Sequence, residues 1–268
     1  MAYLIALDDG HGLGPKPTLG KRTPNISGVG VIYENQFNRA VVNYLDTELK
    51  RCGFRTILVA PTDVDTPLST RIATANRAKA DAYISCHYNA GGGAGVETFY
   101  HTGSSRGRRL ATCIHNQVTK GTPQKNRGLK SGNHLWVIRK TNMPATLIEF
   151  GFMDDPGLVE AKRMIDPAFQ KECAVETAKG ICEYFGVSYS TSSSSASSTS
   201  MPSSYPGSLI RKGSRGEYVK MIQRALGGLS VDGIFGPKTQ NAVKVFQRKN
   251  GLSVDGIVGP LTWNKLFP

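Results

Sequence analysis

A serine-rich segment, Ser188–Gly207, constrains the architecture of this chain more than any other feature of its sequence. It contains too few apolar side chains to build a core, and chains of this composition behave as flexible linkers. We therefore predict two domains, Met1–Val187 and Ser208–Pro268, joined by a linker over 188–207.

The first predicted domain alternates short apolar runs with stretches that have apolar residues at helical spacing, such as Phe37, Val41 and Leu45. The runs predict strands at Tyr3–Leu7, Arg55–Ala60, Ala82–His87, Val96–Tyr100, Leu135–Ile138 and Thr146–Phe150. The periodic stretches predict helices at Asn35–Arg51, Pro67–Ala78, Ser105–Val118, Pro156–Ile165 and Pro167–Phe185. Alternating strands and helices indicate an α/β domain, with a mostly parallel twisted sheet and helices on both faces.

The second predicted domain contains an internal repeat. Its first copy runs from Gly228 to Thr239, and its second begins 23 residues further on, from Gly251 to Thr262. Each copy has an Asp-Gly turn followed by Gly-Pro, and proline is favoured at the first position of a helix. With the apolar faces before and between the copies, the pattern predicts a small all-α domain of three helices.

The chain carries a net charge of +13, which favours a polyanionic partner. Ser208–Pro268 contributes ten basic and three acidic residues, so +7 of that charge lies in the smaller domain. The region lacks the interleaved basic and aromatic residues of a single-strand nucleic-acid platform. Nucleic-acid binding would explain the charge but not the site described below, and we expect no nucleic-acid partner.

Cysteine usage and the first residues give an expectation about localisation. The five cysteines are odd in number and include no C-x-x-C pair, which favours buried free thiols from a reducing compartment. No apolar run is long enough to span a membrane. The start of the sequence lacks a basic region and an apolar stretch of signal-peptide length. We expect synthesis in the cytoplasm without a signal peptide, and no membrane insertion.

Residues able to bind a metal follow three of the predicted strands. His11 follows the first strand, His87 ends the Ala82 strand, Glu149 lies at the end of the Thr146 strand, and Glu34 precedes the first helix. Sites in open parallel sheets form at the carboxyl ends of strands, so these residues are expected to converge. Taken singly, a histidine at a strand end is more often structural, and Glu34 suits the start of a helix.

Two histidines and two glutamates together are typical of a catalytic metal site. Two neutral imidazoles and one carboxylate form a catalytic zinc site, with water in the fourth position. A second carboxylate that binds no metal can take a proton from that water and pass it to a leaving amine. The set therefore predicts metal-assisted hydrolysis.

Ordered motifs carry a resemblance to a known family. They are Asp8-Asp9-Gly10-His11-Gly12, Glu34, Leu68-x-x-Arg71-x-x-x-Ala75-Asn76, Ser85-Cys86-His87-Tyr88-Asn89-Ala90, Gly95-Val96-Glu97-Thr98-Phe99-Tyr100 and Met143 through Phe152. The set resembles the zinc-dependent N-acetylmuramoyl-L-alanine amidases of the amidase 3 group, which cleave the amide between N-acetylmuramic acid and L-alanine in peptidoglycan. The resemblance implies one zinc on His11, Glu34 and His87, with Glu149 as the catalytic acid/base. The family usually has proline at the position of Asp9.

The tail resembles the three-helix peptidoglycan-binding domain, through its Val-Asp-Gly-Ile-x-Gly-Pro-x-Thr repeat. We therefore expect a peptidoglycan hydrolase that binds bacterial peptidoglycan through 208–268. We expect it to act on the wall after release during host cell lysis, like a phage endolysin. A bacterial autolysin or mother-cell lysin is the nearer alternative, and we expect a monomer. Two other functions stay open: a zinc metallopeptidase that cuts within the stem peptide, and a non-catalytic wall-binding protein.

Overall fold

A computed structural model of the chain describes residues 2–12, 21–61, 65–190 and 209–267. The chain divides into two compact units, Met1–Ser194 and Ser195–Pro268. From position 191 onward, the predicted linker lies outside the described residues. Tyr189, near its start, packs on the first unit, where its hydroxyl donates a 2.7 Å hydrogen bond to Glu48.

Within the described residues of the first unit, six strands form one sheet in the order β2-β1-β3-β6-β4-β5. The strands are β1 (Leu4–Asp8), β2 (Arg55–Leu58), β3 (Ala82–Asn89), β4 (Val96–Tyr100), β5 (Asn126–Ser131) and β6 (Ala145–Phe152). All neighbouring pairs are parallel except β4 and β6, which are antiparallel. The prediction of a mostly parallel sheet is confirmed.

Helices cover both faces of this sheet, as predicted. They are α1 (Glu34–Arg51), α2 (Leu68–Arg77), α3 (Ser105–Gly121), α4 (Trp136–Arg139), α5 (Val159–Arg163) and α6 (Pro167–Phe185). The apolar face of α1 packs with α3 and α6 into the larger core, whereas α2 and α4 contribute to a smaller core on the other face. Gly180 permits the close approach of α6 to α3, because a Cβ there would lie 2.4 Å from Cα of Ile114.

Two local predictions differ from the structure. The run Leu135–Ile138 was predicted as a strand, but its residues begin the short helix α4. Short apolar runs do not separate strand from buried helix by periodicity. The edge strand β5 was not predicted, since its sequence is polar and contains Gly128.

The second unit is all-α, with α7 (Glu217–Leu226), α8 (Pro237–Lys249) and α9 (Pro260–Leu266) around its own core. Proline stands in the first turn of α8 and of α9, as the repeat predicted. The segment before α7 pairs with both repeat copies, through bridges between Ile210 and Val258 and between Arg215 and Ile234.

None of the helices within the described residues is long and apolar enough to cross a membrane.

Candidate active site

Three of the four predicted site residues, His11, His87 and Glu149, lie near the carboxyl ends of adjacent strands, and Glu34 is the first residue of α1. β3 lies between β1 and β6 and runs parallel to both, so their carboxyl ends share one edge of the sheet. His87 on β3 is the register partner of Glu149 on β6. Partners across neighbouring strands present their side chains on the same face, so the imidazole and the carboxyl group are adjacent.

The turn after β1 brings His11 beside His87, with ring centroids 4.9 Å apart. Gly10 has a φ of +45°, and a Cβ there would lie 2.4 Å from Cε1 of His87, so only glycine fits. His11 also has a positive φ, of 52°. The side-chain amide of Asn35 helps to hold this turn, because Nδ2 donates to the carbonyl oxygens of Asp9, Gly10 and His11.

His11, Glu34 and His87 form a cluster in which their ligand-type atoms lie within 4.8 Å of one another. Nε2 of His11 lies 3.3 Å from Oε2 of Glu34, and Nδ1 of His87 lies 2.9 Å from Oε1 of the same carboxylate. Ligand atoms around a tetrahedral zinc ion are roughly 3.3 Å apart. The donor types and their spacing therefore fit a zinc ion.

Burial and charge set the protonation of the cluster. Burial lowers the pKa of His11 to about 4, which leaves its ring neutral at physiological pH. Burial acts in the same direction on His87, but the hydrogen bond and negative charge of Glu34 outweigh it and raise the pKa of His87 to about 9. A metal must therefore displace a proton from His87 when it binds.

Glu149 has a carboxyl oxygen without a partner beside this cluster. Its Oε2 is buried and accepts no hydrogen bond from the described residues. Burial raises the pKa of Glu149 to about 8. The positive charge of His87 lowers this pKa, whereas the negative charge of Glu34 raises it further. A buried, unsatisfied carboxyl with a pKa near neutrality is a feature of functional sites.

A buried ionic network supports the turn from below, and sequence reasoning did not find it. Asp8 accepts hydrogen bonds from Arg71, from the Tyr83 hydroxyl at 2.7 Å and from Ser85 at 2.8 Å. Arg71 is 1% exposed and also donates to the carbonyl oxygen of His11 at 2.8 Å. Burial raises the pKa of Asp8, but the charges of Arg71 and His87 and the hydrogen bonds from Tyr83 and Arg71 outweigh it and lower that pKa below its ordinary value.

Asp9 occupies the position where the resembled family usually has proline, and a second buried ion pair holds it. Nε and Nη2 of Arg39 lie 2.7 and 2.6 Å from Oδ2 of Asp9. Burial raises the pKa of Asp9 to about 6, against the opposing effect of Arg39. A side-chain contact to α1 therefore fixes the turn here in place of a proline ring.

A cavity of about 480 Å³ gives access to the cluster from the α2 and α4 face. His11 and His87 line it together with Leu68 and Trp136, whose side chains are half exposed. The cavity therefore offers an apolar rim beside the polar cluster.

The remaining histidines and the cysteines lie outside the cluster. His115 is buried and hydrogen-bonded to Thr98 and Asn126 at 2.9 and 2.8 Å. All five cysteines lie within the described residues and all are free thiols. Burial raises the pKa of Cys86 well above its ordinary value, so this thiol does not act as a nucleophile.

In the second unit, each repeat copy is closed by a buried glutamine. Gln223 donates to Asp232 at 2.8 Å and accepts from the backbone N–H of Gly233 at 3.0 Å. Gln247 makes the same contacts with Asp255 at 2.7 Å and with Gly256 at 2.9 Å. Beside the second copy lies a cavity of about 200 Å³. The two copies of the sequence repeat therefore form the same hydrogen bonds with their glutamines.

Comparison with known proteins identifies relatives of both units. The family described as N-acetylmuramoyl-L-alanine amidase matches residues 5–183, and the family described as putative peptidoglycan binding domain matches residues 215–266. An endolysin of Bacillus phage SPP1 is 31% identical over 212 residues, covering 76% of this chain and 74% of its own. The amidase CwlM of Bacillus licheniformis is 32% identical over 133 residues, covering 49% of this chain and 51% of its own.

Solved structures agree with these matches. The catalytic domain of CwlV, an N-acetylmuramoyl-L-alanine amidase of Bacillus (Paenibacillus) polymyxa, has a TM-score of 0.60 at 29% identity, over 69% of this chain and 99% of its own. An amidase of Clostridium difficile 630 has a TM-score of 0.61 at 27% identity, over 69% and 97%. Fold and site thus define an amidase catalytic domain. The chain belongs to the N-acetylmuramoyl-L-alanine amidase family, and it acts on peptidoglycan.

Proposed function

We propose that this chain cleaves the amide bond between N-acetylmuramic acid and L-alanine with one zinc ion held by His11, Glu34 and His87. The observation that carries the proposal is the cluster itself, whose three ligand-type atoms lie within 4.8 Å of one another beside the free carboxyl of Glu149. Bound there, zinc supplies a Lewis acid that polarises the scissile carbonyl and makes water a nucleophile at neutral pH.

The residues of the chain divide the remaining work. Glu34 is buried, and its Oε1 accepts hydrogen bonds from Asn38 and from the Tyr88 backbone, both at 3.1 Å, which fixes its carboxylate between the two histidines. Glu149 takes a proton from the attacking water and delivers it to the nitrogen of L-alanine as the amide breaks. A pKa near the working pH suits both transfers.

A metallopeptidase that cuts within the stem peptide would use the same residues, so the bond cleaved must be identified directly. We expect digestion of purified wall to release stem peptides that begin with a free L-alanine amine, and glycan strands whose muramic acid carries a free carboxyl. Mass spectrometry of both fractions reads the new ends. Peptides that begin beyond L-alanine would assign the stem-peptide activity instead, and unchanged wall would leave only a binding function.

We further propose that 208–268 attaches the enzyme to peptidoglycan across the linker 188–207. The match to the peptidoglycan-binding family and the +7 charge of this region support the assignment. A tethered wall-binding unit raises the effective concentration of substrate at the catalytic unit. The 31% identity with the endolysin of phage SPP1 supports an endolysin-like role after cytoplasmic synthesis. We also propose that the chain acts as a monomer.

Division of the chain within the linker tests this proposal. We expect Ser208–Pro268 to bind wall without cleaving it, and Met1–Val187 to cleave soluble muropeptides but to sediment poorly with wall. A fragment ending at Ser190 is the matched control for the stability of the catalytic unit, because it retains Tyr189. The Tyr189 hydroxyl donates a 2.7 Å hydrogen bond to Glu48, and the guanidinium of Arg51 lies 4.8 Å from the centroid of its ring. We expect this longer fragment to be more stable by about 1 kcal/mol. Wall binding by Met1–Val187 equal to that of the full chain would contradict the assignment.

A further inference from the structure

A row of polar side chains continues from the cluster across the sheet towards its β5 edge. Glu149 on β6 is the register partner of Glu97 on β4, so the two carboxyl groups lie on the same face. Because β4 runs antiparallel to β6, its first residues lie at the same edge as the end of β6. Glu97 is buried, and its Oε1 accepts a 2.7 Å hydrogen bond from Nε of Arg127 on the neighbouring strand β5.

Arg127 is held in place from two sides. Its Nε is fixed by Glu97, and its guanidinium lies 4.9 Å from the ring centroid of Phe152, which is buried. Its side chain is nevertheless 35% exposed. The structure shows no hydrogen bond from its two terminal amino groups to any described residue. A guanidinium with a fixed Nε and two free amino groups is arranged to bind a carboxylate by two parallel hydrogen bonds.

The local charge favours an anion. Lys130 also faces Glu97, with Nζ 3.8 Å from Oε1, and its side chain is 40% exposed. Two cations therefore share one buried carboxylate, whose second oxygen accepts a hydrogen bond from Asn89 at 3.3 Å. Arg127 and Lys130 together carry two positive charges, one more than the single negative charge of Glu97. The excess positive charge faces solvent beside Glu149.

The distance between Arg127 on β5 and Glu149 on β6 determines which carboxylate of the substrate can reach Arg127. β6 and β5 are separated by β4, so their backbones are roughly 10 Å apart. In an extended stem peptide each residue spans about 3.3–3.6 Å, so the residue after L-alanine carries its side groups roughly 7 Å from the scissile carbonyl. The arginine side chain extends over the remaining distance. That residue is a D-glutamyl residue whose α-carboxyl is either free or amidated.

We propose that Arg127, positioned by Glu97 and Phe152 and assisted by Lys130, binds the free α-carboxylate of the D-glutamyl residue that follows L-alanine. The proposal rests on the amidase function proposed above. It predicts that the enzyme distinguishes walls by amidation of this carboxyl group, because an amide leaves the guanidinium without an anionic partner.

Two soluble muropeptides that differ only in a free or an amidated α-carboxyl test the proposal. We expect wild-type enzyme to prefer the free acid by about 10- to 100-fold in kcat/KM, the effect of a hydrogen bond to a charged group, with the difference mainly in KM. Arg127→Met, which retains packing on Phe152, should remove the preference. Arg127→Lys should retain part of it. Arg108→Met, at an exposed position in the first turn of α3, removes the same charge and should leave the preference unchanged.

A binding measurement provides a second readout that does not depend on turnover. The free peptide L-alanyl-γ-D-glutamate should bind wild type more tightly than Arg127→Met in calorimetry, and its amidated form should bind both equally. Equal kcat/KM of wild type for the two muropeptides would overturn the subsite while the amidase function stands. Cleavage of neither muropeptide nor purified wall would overturn the proposed function and the subsite together.

Discussion

Glu149→Gln should lower turnover by about 10²–10⁴ while the enzyme retains one zinc per chain. The glutamine has the same shape but cannot accept or deliver a proton, and loss of general acid–base catalysis has an effect of this size. The three ligand-type groups of the cluster are unchanged in this variant. Turnover of a soluble muropeptide and metal content by elemental analysis are the two measurements.

Glu34→Gln should give the opposite pattern, with zinc lost first and activity lost in consequence. A neutral amide is a poor ligand for a dication. The oxygen of the glutamine can still accept from Asn38 and Tyr88, as Oε1 does now, which places the amide nitrogen towards His11. Glu172→Gln, exposed on α6, is the control for the change in charge. Zinc lost from Glu149→Gln but retained by Glu34→Gln would reverse the two roles, and normal turnover by Glu149→Gln would place the base elsewhere.

Arg71→Met should destabilise the catalytic unit by about 3–5 kcal/mol, the usual effect of removing one partner from a buried ion pair. Asp8, which is 1% exposed, would then lose its ion-pair partner and would keep the Tyr83 and Ser85 hydroxyls as side-chain hydrogen-bond donors. Arg77→Met, at an exposed position near the end of the same helix, controls for the loss of an arginine and should have little effect.

The dependence on pH gives this prediction a second test. In the wild type the pKa of Asp8 is below its ordinary value, so its contribution to stability is present at neutral pH and declines as the pH falls through that lowered pKa. In Arg71→Met the arginine no longer opposes the effect of burial, so we expect the pKa of Asp8 to rise and protonation to favour the folded variant. The stability difference in urea unfolding should therefore narrow from pH 7 towards pH 4. A constant difference would mean that Arg71 stabilises the fold by packing alone.

Local sequence patterns predicted most of the fold, because most elements have a periodicity of their own. The apolar face of α1 and the buried run of β3 are examples, and the order of strands and helices was sufficient to predict the sheet type. β5 could not be predicted, since a polar edge strand is defined by its pairing with β4 rather than by its own residues. Leu135–Ile138 was wrongly predicted because four apolar residues suit a short helix as well as a strand.

The candidate site was predictable to the extent that strand ends determine it. His11, His87 and Glu149 follow from the rule that parallel strands converge at their carboxyl ends, and the structure brings them together with Glu34. The supporting pairs were not predictable. Arg71 and Asp8 are 63 residues apart in the chain, and such a pair becomes visible only when the topology is known. The roles of the four site residues stay predictions until the variants are measured.

The bridge between Ile210 and Val258 has a consequence for biosynthesis. Ile210 lies before α7, and its backbone N–H and carbonyl both pair with Val258, which lies after the second glutamine-closed loop. Val258 and Trp263 also belong to the same core as Ile210. The second unit can therefore close only after the chain has left the ribosome as far as Val258 and Trp263. Nascent chains that are interrupted earlier would lack a completed second unit, whereas the catalytic unit, encoded first, could already have folded.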